Sequence, residues 1–177
     1  MISMAETFAR NAHGSQMYGD QPYAAHLEAV VQVLKDAGMD DNVLLSAAWL
    51  HDVIEDTELT QEDIANLCGS DVAAIVWACT GVGANRRERN RSISEKIGTN
   101  WRYASVKTAD RIANVEASRG KPIASMYDKE REAFWDHIAV HAYWRLADRL
   151  KAAYDIKPKQ YEEPRRVVEP VRRKEGV

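Results

Sequence analysis

At 177 residues the chain is long enough for one domain with a real core and too short for two ordinary ones. An apolar content of 45% and a charged content of 29% describe a soluble globular protein, and a net charge of −3 gives no global reason to expect a nucleic-acid partner. No apolar run approaches a membrane span and the N-terminus lacks a signal-peptide pattern, so no membrane association and a cytoplasmic location are expected.

The charge is uneven. Residues 157–177 hold seven Lys/Arg against four Asp/Glu, which leaves the rest acidic by six. The two cysteines, Cys68 and Cys79, lie apart in apolar helical patterns. They are expected to be small core residues of a reducing compartment and are not spaced as zinc ligands.

In chain order, residues 2–13 carry Met4, Phe8 and Ala12 at intervals of four, which predicts a helix with that side buried. A Gly-rich turn from His13 to Tyr23 follows, and Pro22 suits the first turn of the next helix. That helix places Leu27, Val30, Val31 and Leu34 on one face and stops at Gly38. His26 lies in its first turn, beside the apolar stripe. A lone His there is more often a hydrogen-bonded core residue than a ligand; what raises it is that another His and several carboxylates elsewhere need a partner.

Asp41 or Asn42 caps the next helix, where Leu44, Leu45, Ala47, Ala48, Trp49 and Leu50 leave almost no polar face. Such a helix is central and buried, yet it ends in His51, Asp52, Glu55 and Asp56. Unpaired charge there is costly, so a partner, a shifted pKa or a bound metal is called for. Residues four apart share a helix face, with Cβ atoms about 5–6 Å apart, which pairs His51 with Glu55 and Asp52 with Asp56. Neighbouring His51 and Asp52 diverge by about 100°, so both can grip an ion over the helix end. Glu55 and Asp56 would then face a water held by that ion, as an acid/base pair. A solvated helix terminus is the alternative, although acidic groups at a C-terminus oppose the helix dipole.

Thr60 to Asp63 is a capping-box variant before Ile64 and Leu67, with Gly69 as the stop. Ser70 starts a helix with Val72, Ile75, Val76 and Cys79 inside, and Thr80-Gly-Val-Gly breaks it. Arg86, Arg87, Arg89 and Arg91 then put four arginines in six residues. A solvated face is the ordinary meaning of such a run; an anion clamp is the functional one, because guanidinium forks match phosphate oxygens.

Asn100 caps a helix running to about Arg119, on which Lys107, Asp110 and Asn114 share a face. Lys107 and Asp110 can be a simple ion pair, or Asp110 a fourth ligand. The last long helix starts near Ser125, with Phe134, Ile138, Ala142, Leu146 and Leu150 stepping by four. His137 and His141 lie beside this aromatic stripe and are taken as packing or surface residues. Pro158, Pro164 and Pro170 prevent further helix, so residues 1–155 are expected to form the domain and 156–177 a basic, Pro-containing tail. Strand signals are nearly absent. The expected fold is an all-α bundle of about seven to eight helices.

His26, then His51-Asp52, then Asp110 resembles the ordered signature of the HD-domain phosphohydrolase superfamily. Ala12-His13…Gln16…Gly19…Pro22-Tyr23-x-x-His26, His51-Asp52-x-x-Glu55-Asp56-Thr57 and Val106-Lys107-x-Ala109-Asp110-Arg111-x-x-Asn114 together resemble the hydrolase domain of RelA/SpoT-type enzymes, in its small stand-alone version, over roughly residues 1–150. The resemblance implies an all-helical fold, one divalent ion and removal of pyrophosphate from the ribose 3′ position of (p)ppGpp. It implies His26, His51, Asp52 and Asp110 as metal ligands, Glu55 and Asp56 as the groups that position and deprotonate water, and Asn114 and Arg86 as nucleotide and phosphate contacts. Tyr127 and Lys129 resemble a pocket-lining stretch of the family, and Lys107 and Tyr18 border the same motifs. Manganese is the expected ion, with iron, zinc, cobalt and magnesium as alternatives; two imidazoles with two carboxylates make a mixed N/O set that suits manganese, iron or zinc better than calcium.

Two departures stand out. Where the family carries basic residues after the Gln of the first motif, this chain has Met17-Tyr18, and Ala113 replaces the usual His before Asn114. They leave room for a phosphohydrolase acting on ordinary (deoxy)nucleoside phosphates. A silent HD module that binds a nucleotide or a protein is a third reading, weakened by the presence of both Glu55 and Asp56. The expected partner is a small nucleotide; five tryptophans and a basic tail leave a homo-oligomer open.

Overall fold

A computed structural model describes residues 1–154; the expected basic tail lies outside the described residues. The chain is all-α. Its helices are α1 (Ile2–His13), α2 (Tyr23–Asp36), α3 (Asn42–Leu50), α4 (Val53–Asp56), α5 (Gln61–Cys68), α6 (Ser70–Cys79), α7 (Arg86–Ile97), α8 (Trp101–Ala117), α9 (Ala124–His137) and α10 (Trp144–Ala153), with a 3-10 turn at Ala139–His141. Between α1 and α2 two short strands, β1 (Met17–Tyr18) and β2 (Gln21–Pro22), form an antiparallel hairpin pairing Met17 with Pro22 and Tyr18 with Gln21. No described helix is long and apolar enough to cross a membrane.

Local chemistry sets the helix starts. The Asp41 carboxylate accepts from the N–H groups of Val43 and Leu44. Thr60 and Asp63 cap each other reciprocally, and Asn85 and Asn100 accept from the first turns of α7 and α8. Each such cap contributes about 1 kcal/mol.

Helix α8 runs through the middle, packed on α2, α6 and α10, while α3 packs on α1, α2 and α6. Leu27, Leu34, Leu50, Val53, Ile112 and Leu146 are fully buried where these helices meet. Each such side chain contributes roughly 1.5–3 kcal/mol of hydrophobic stabilisation. Cys68 and Cys79 are buried free thiols, as expected.

Two packing expectations shift. Helix α1 buries Ala5, Ala9 and His13, while Met4 stays 45% exposed and Phe8 and Ala12 are half-buried. The alanines let α1 lie close on α3, which turns the seam one residue from the larger side chains. The stripe from Phe134 to Leu150 is all buried, but not on one helix. The chain turns at Ile138–Tyr143, where the Tyr143 N–H donates to the buried Ser105 hydroxyl (2.9 Å). Helix α10 can then return along α8, and Arg149 ties it bidentately to Glu116 and to Asp36 on α2. This division, with that at α3/α4, brings the helix count to ten among the described residues.

Ser105→Ala should leave the Tyr143 N–H without an acceptor and lower the unfolding free energy by about 1–3 kcal/mol, read from urea denaturation.

Candidate functional site

Two helices and one helix junction deliver the signature residues to one point. His26 comes from the first turn of α2, His51 and Asp52 from the junction of α3 and α4, and Asp110 from the middle of α8. His26 Nε2 lies 3.3 Å from Asp110 Oδ1 and 3.6 Å from Asp52 Oδ2. His51 Nε2 lies 2.9 Å from Asp52 Oδ2 and 3.6 Å from Asp110 Oδ1. His51 is fully buried, and His26 and Asp110 nearly so.

The local reason for the α3/α4 junction is a side chain. His51 Nδ1 donates to the Ala48 carbonyl at 2.8 Å, taking the acceptor that a continuous helix would offer to the Asp52 N–H. The helix expected to run on to Asp56 is therefore interrupted, and α4 restarts with the Glu55 and Asp56 N–H groups on the Asp52 carbonyl. That same bond sets the tautomer, leaving Nε2 a lone pair aimed at the cluster.

These donors fit a cation. Nε2 of His51 is fully buried and, although Asp52 Oδ2 stands 2.9 Å away, makes no aligned hydrogen bond. Nitrogen and oxygen ligands at about 2.0–2.2 Å from one ion stand about 3 Å from each other, matching separations of 2.9–3.6 Å. Among the described residues, ligand atoms of His26, His51 and Asp110 all lie within 4.8 Å of one another, and Asp52 adjoins both imidazoles.

Neighbours fix the carboxylates. Burial opposes a charge on Asp110, but Lys107 Nζ at 2.8 Å and the two imidazoles outweigh it and hold the carboxyl well below its usual range. Asn114 Nδ2 donates to Asp110 Oδ1 (2.5 Å) and Tyr18 OH to Asn114 Oδ1 (2.6 Å). The Tyr18 ring stacks on His26, centroids 4.7 Å apart, and its phenol is pushed up to about 12, chiefly by burial. Asp52 is likewise held low against burial by His51 and His26, and accepts from Tyr23 OH at 2.7 Å.

Glu55 and Asp56 extend from the cluster on α4. Glu55 reaches solvent, yet desolvation among its neighbours raises its carboxyl above the usual value despite Lys107 and the Gly81 N–H. A Cβ on Gly81 would stand 3.1 Å from Glu55 Oε1 and 2.7 Å from Arg89 Cβ, so only glycine lets the α6–α7 loop pass so near this carboxylate. Asp56 accepts from Gln16 Nε2 at 3.0 Å.

The remaining candidates fall into two groups. Tyr18, Lys107 and Asn114 border the cluster directly, though their polar ends are bonded within the protein. Arg86, Lys107 and Lys129 line a cavity of about 880 Å³ between α7 and α9, and Tyr127 is buried under the Arg86 and Arg111 guanidiniums. The arginine run does not converge: Arg86 pairs with Glu130 and Arg91 with Glu95. Glu130, which also accepts from Asn90 and the buried Arg111, carries no sequence signal. Tyr23 and Gln16 sit in quoted motifs, but only the fold reveals their carboxylate partners.

The two imidazoles give the cluster a pH signature. Burial opposes charge on His51, but Asp52 and Asp110 outweigh it and raise the ring from 6.5 to about 10; His26 is raised too. A raised imidazole stabilises the fold fully below its unfolded value and loses that contribution as pH climbs through the folded one. In chelator, the unfolding free energy should therefore decline between pH 6.5 and about 10, measured by urea titration at several pH values; His51→Gln should flatten the decline.

Comparison with known proteins agrees with this geometry. A model of the HD domain family matches residues 5–142. Relatives include a probable GTP pyrophosphokinase of Mycobacterium leprae, 32% identical over 95% of this chain and 23% of its own length. A guanosine-3′,5′-bis(diphosphate) 3′-pyrophosphohydrolase of Aquifex aeolicus is 29% identical over 97% of this chain and 26% of its own. The Drosophila melanogaster pyrophosphohydrolase MESH1 is 34% identical over 54% of this chain and 55% of its own. The chain thus spans about a quarter of the first two and about half of the third. A solved metazoan ortholog of SpoT shares the fold, with a TM-score of 0.75 at 23% identity over 87% of this chain and 93% of the other. With the family model covering most of the chain and its signature residues folded onto one buried cluster, this chain belongs to the HD domain family.

Proposed function

We propose that the chain is a metal-dependent phosphohydrolase that cleaves guanosine 3′,5′-bis(diphosphate), adding water to release pyrophosphate from the 3′ position and leave GDP. The observation that carries this is the meeting of His26, His51, Asp52 and Asp110 beside a second acidic pair, Glu55 and Asp56. The names of the Aquifex and Drosophila relatives support the substrate.

His26, His51, Asp52 and Asp110 would hold one divalent ion, manganese by the resemblance. When bound it supplies Lewis acidity, lowering the pKa of water and polarising a phosphoryl oxygen. The protein does the rest. Lys107 and Asn114 keep Asp110 ionised and oriented. Glu55, its carboxyl raised by desolvation, takes the proton from the attacking water and passes it to the leaving oxygen. Asp56 orients that water. Tyr18 and Asn114 border the ribose and base, while Lys129, with Arg86 and Lys107 that are each also paired to a carboxylate, lines the α7–α9 cavity where phosphate would lie, with Tyr127 packed beneath Arg86.

One observation favours a second reading. Tyr18 lies flat on His26 and bonded to Asn114, in the turn where the family carries basic residues. A flat ring there stacks on any base, which suits a phosphohydrolase of ordinary (deoxy)nucleoside phosphates.

A product-resolved assay with manganese, offering ppGpp, pppGpp and a panel of nucleoside phosphates, separates the two. GDP and pyrophosphate from ppGpp are expected, with a loss of about 10²–10⁴-fold in Glu55→Gln. Manganese should raise the melting temperature of the wild type and leave His51→Ala unchanged. Higher kcat/KM on an ordinary nucleotide would transfer the assignment to the second reading; undiminished turnover in Asp52→Ala would overturn the site itself.

A further inference from the structure

We infer that His13 and Gln16 form a positioning pair that sets the direction of the Asp56 carboxylate; this rests on the proposed role of Asp56 in orienting water. Both residues lie at the end of α1, outside the ligand cluster and the acid/base pair.

The geometry is a chain of two hydrogen bonds. Gln16 Nε2 stands 3.0 Å from Asp56 Oδ2 and Gln16 Oε1 2.8 Å from His13 Nδ1. Its polarity is forced. An ionised carboxylate only accepts, so the amide must turn its NH₂ to Asp56. The amide oxygen then faces His13, whose Nδ1 must carry the proton. A flipped amide would set oxygen against carboxylate, and the Nδ1–H of His13 is what forbids the flip.

Each end of this chain is fixed. The Gln16 backbone is held by its N–H on the His13 carbonyl and its own carbonyl on the Tyr23 N–H, both at 2.9 Å. The His13 ring is buried and stacks on Tyr23, centroids 4.4 Å apart and planes 14° apart. Tyr23 in turn donates to Asp52. Two stacked rings therefore reach both acidic residues, Asp52 directly and Asp56 through Gln16.

Two further features, one at each end of the chain of bonds, support the pair. Its Nε2 is buried without a hydrogen-bond partner, a cost that an apolar ring would avoid. Asp56 needs a restraint, since it is exposed, sits on a single turn of helix and borders an open cavity of about 1040 Å³ shared with His13 and Gln16. Without the Gln16 donor the carboxylate is free to swing into that space.

The test is steady-state kinetics on ppGpp with saturating manganese, beside manganese affinity by calorimetry. Gln16→Ala and His13→Ala should each lower kcat about tenfold, the low end for groups that orient site residues, with KM within about twofold and manganese affinity unchanged. Gln16→Ala is the safer variant for folding, because its side chain is half-buried at a turn. His13→Asn should recover most of the loss, since its amide can present an N–H where Nδ1–H stood. The double variant should be no worse than Gln16→Ala alone, because the two residues act in series. Additive losses, a kcat loss that His13→Asn does not recover, or a loss that tracks manganese affinity would each overturn the pair. Full activity in Asp56→Asn would overturn the reading of Asp56 itself; inactivity there with full activity in Gln16→Ala would overturn the pair alone.

Discussion

A carboxylate buried in the middle of the longest described helix is the constraint that this fold must satisfy. Asp110 has only 6% of its surface exposed, and an isolated charge in such a place costs far more than one domain can spare. Four groups answer it against the nearby charge of Asp52: Lys107 one turn before, Asn114 one turn after, and the two imidazoles across the helix interface. The central helix can be this polar because its partners bring donors to its acceptors rather than a seamless apolar face.

The two imidazoles arrive from helix ends rather than helix middles. His26 sits in the first turn of α2, and His51 just beyond the last residue of α3. Small residues make this convergence possible. Ala47 and Ala48 on α3 and Ala104 and Ala109 on α8 are fully buried, so backbones come close and short side chains can meet. Larger apolar groups, Leu27, Leu34, Ile112 and Leu146, are fully buried along the same helices.

Much of this was legible in the residues. Helix starts at Asp41, Thr60 and Asn100 were readable because the caps are local chemistry. The cluster was readable because motif order and the three- and four-residue steps survive folding. What stayed hidden depended on contacts distant in sequence. The stripe from Phe134 to Leu150 has a helical period throughout, and only Ser105, on another helix, reveals why it bends. The seam of α1 lay one residue off because close approach of alanines outweighed the larger side chains. Glu130 gathers Arg86, Asn90 and Arg111 across 44, 40 and 19 residues, a distance that no local pattern spans. The break at His51 was hidden for a subtler reason: the side chain that takes the Ala48 carbonyl looks, in sequence, like one more helical residue.

The thiol of Cys79, at the inner end of α6, gives the molecule a built-in gauge of its own opening. It is fully buried, and desolvation pushes it up to about 12 even with Lys107 nearby. A thiol in that state is inert to alkylating and oxidising reagents until water reaches it, because the thiolate is the reactive form. Its modification rate therefore counts excursions in which α6 parts from the helices packed on it, among them α8, the helix that carries Asp110. Breathing of the scaffold behind the cluster can thus be followed with a native sulfur atom and no engineered probe.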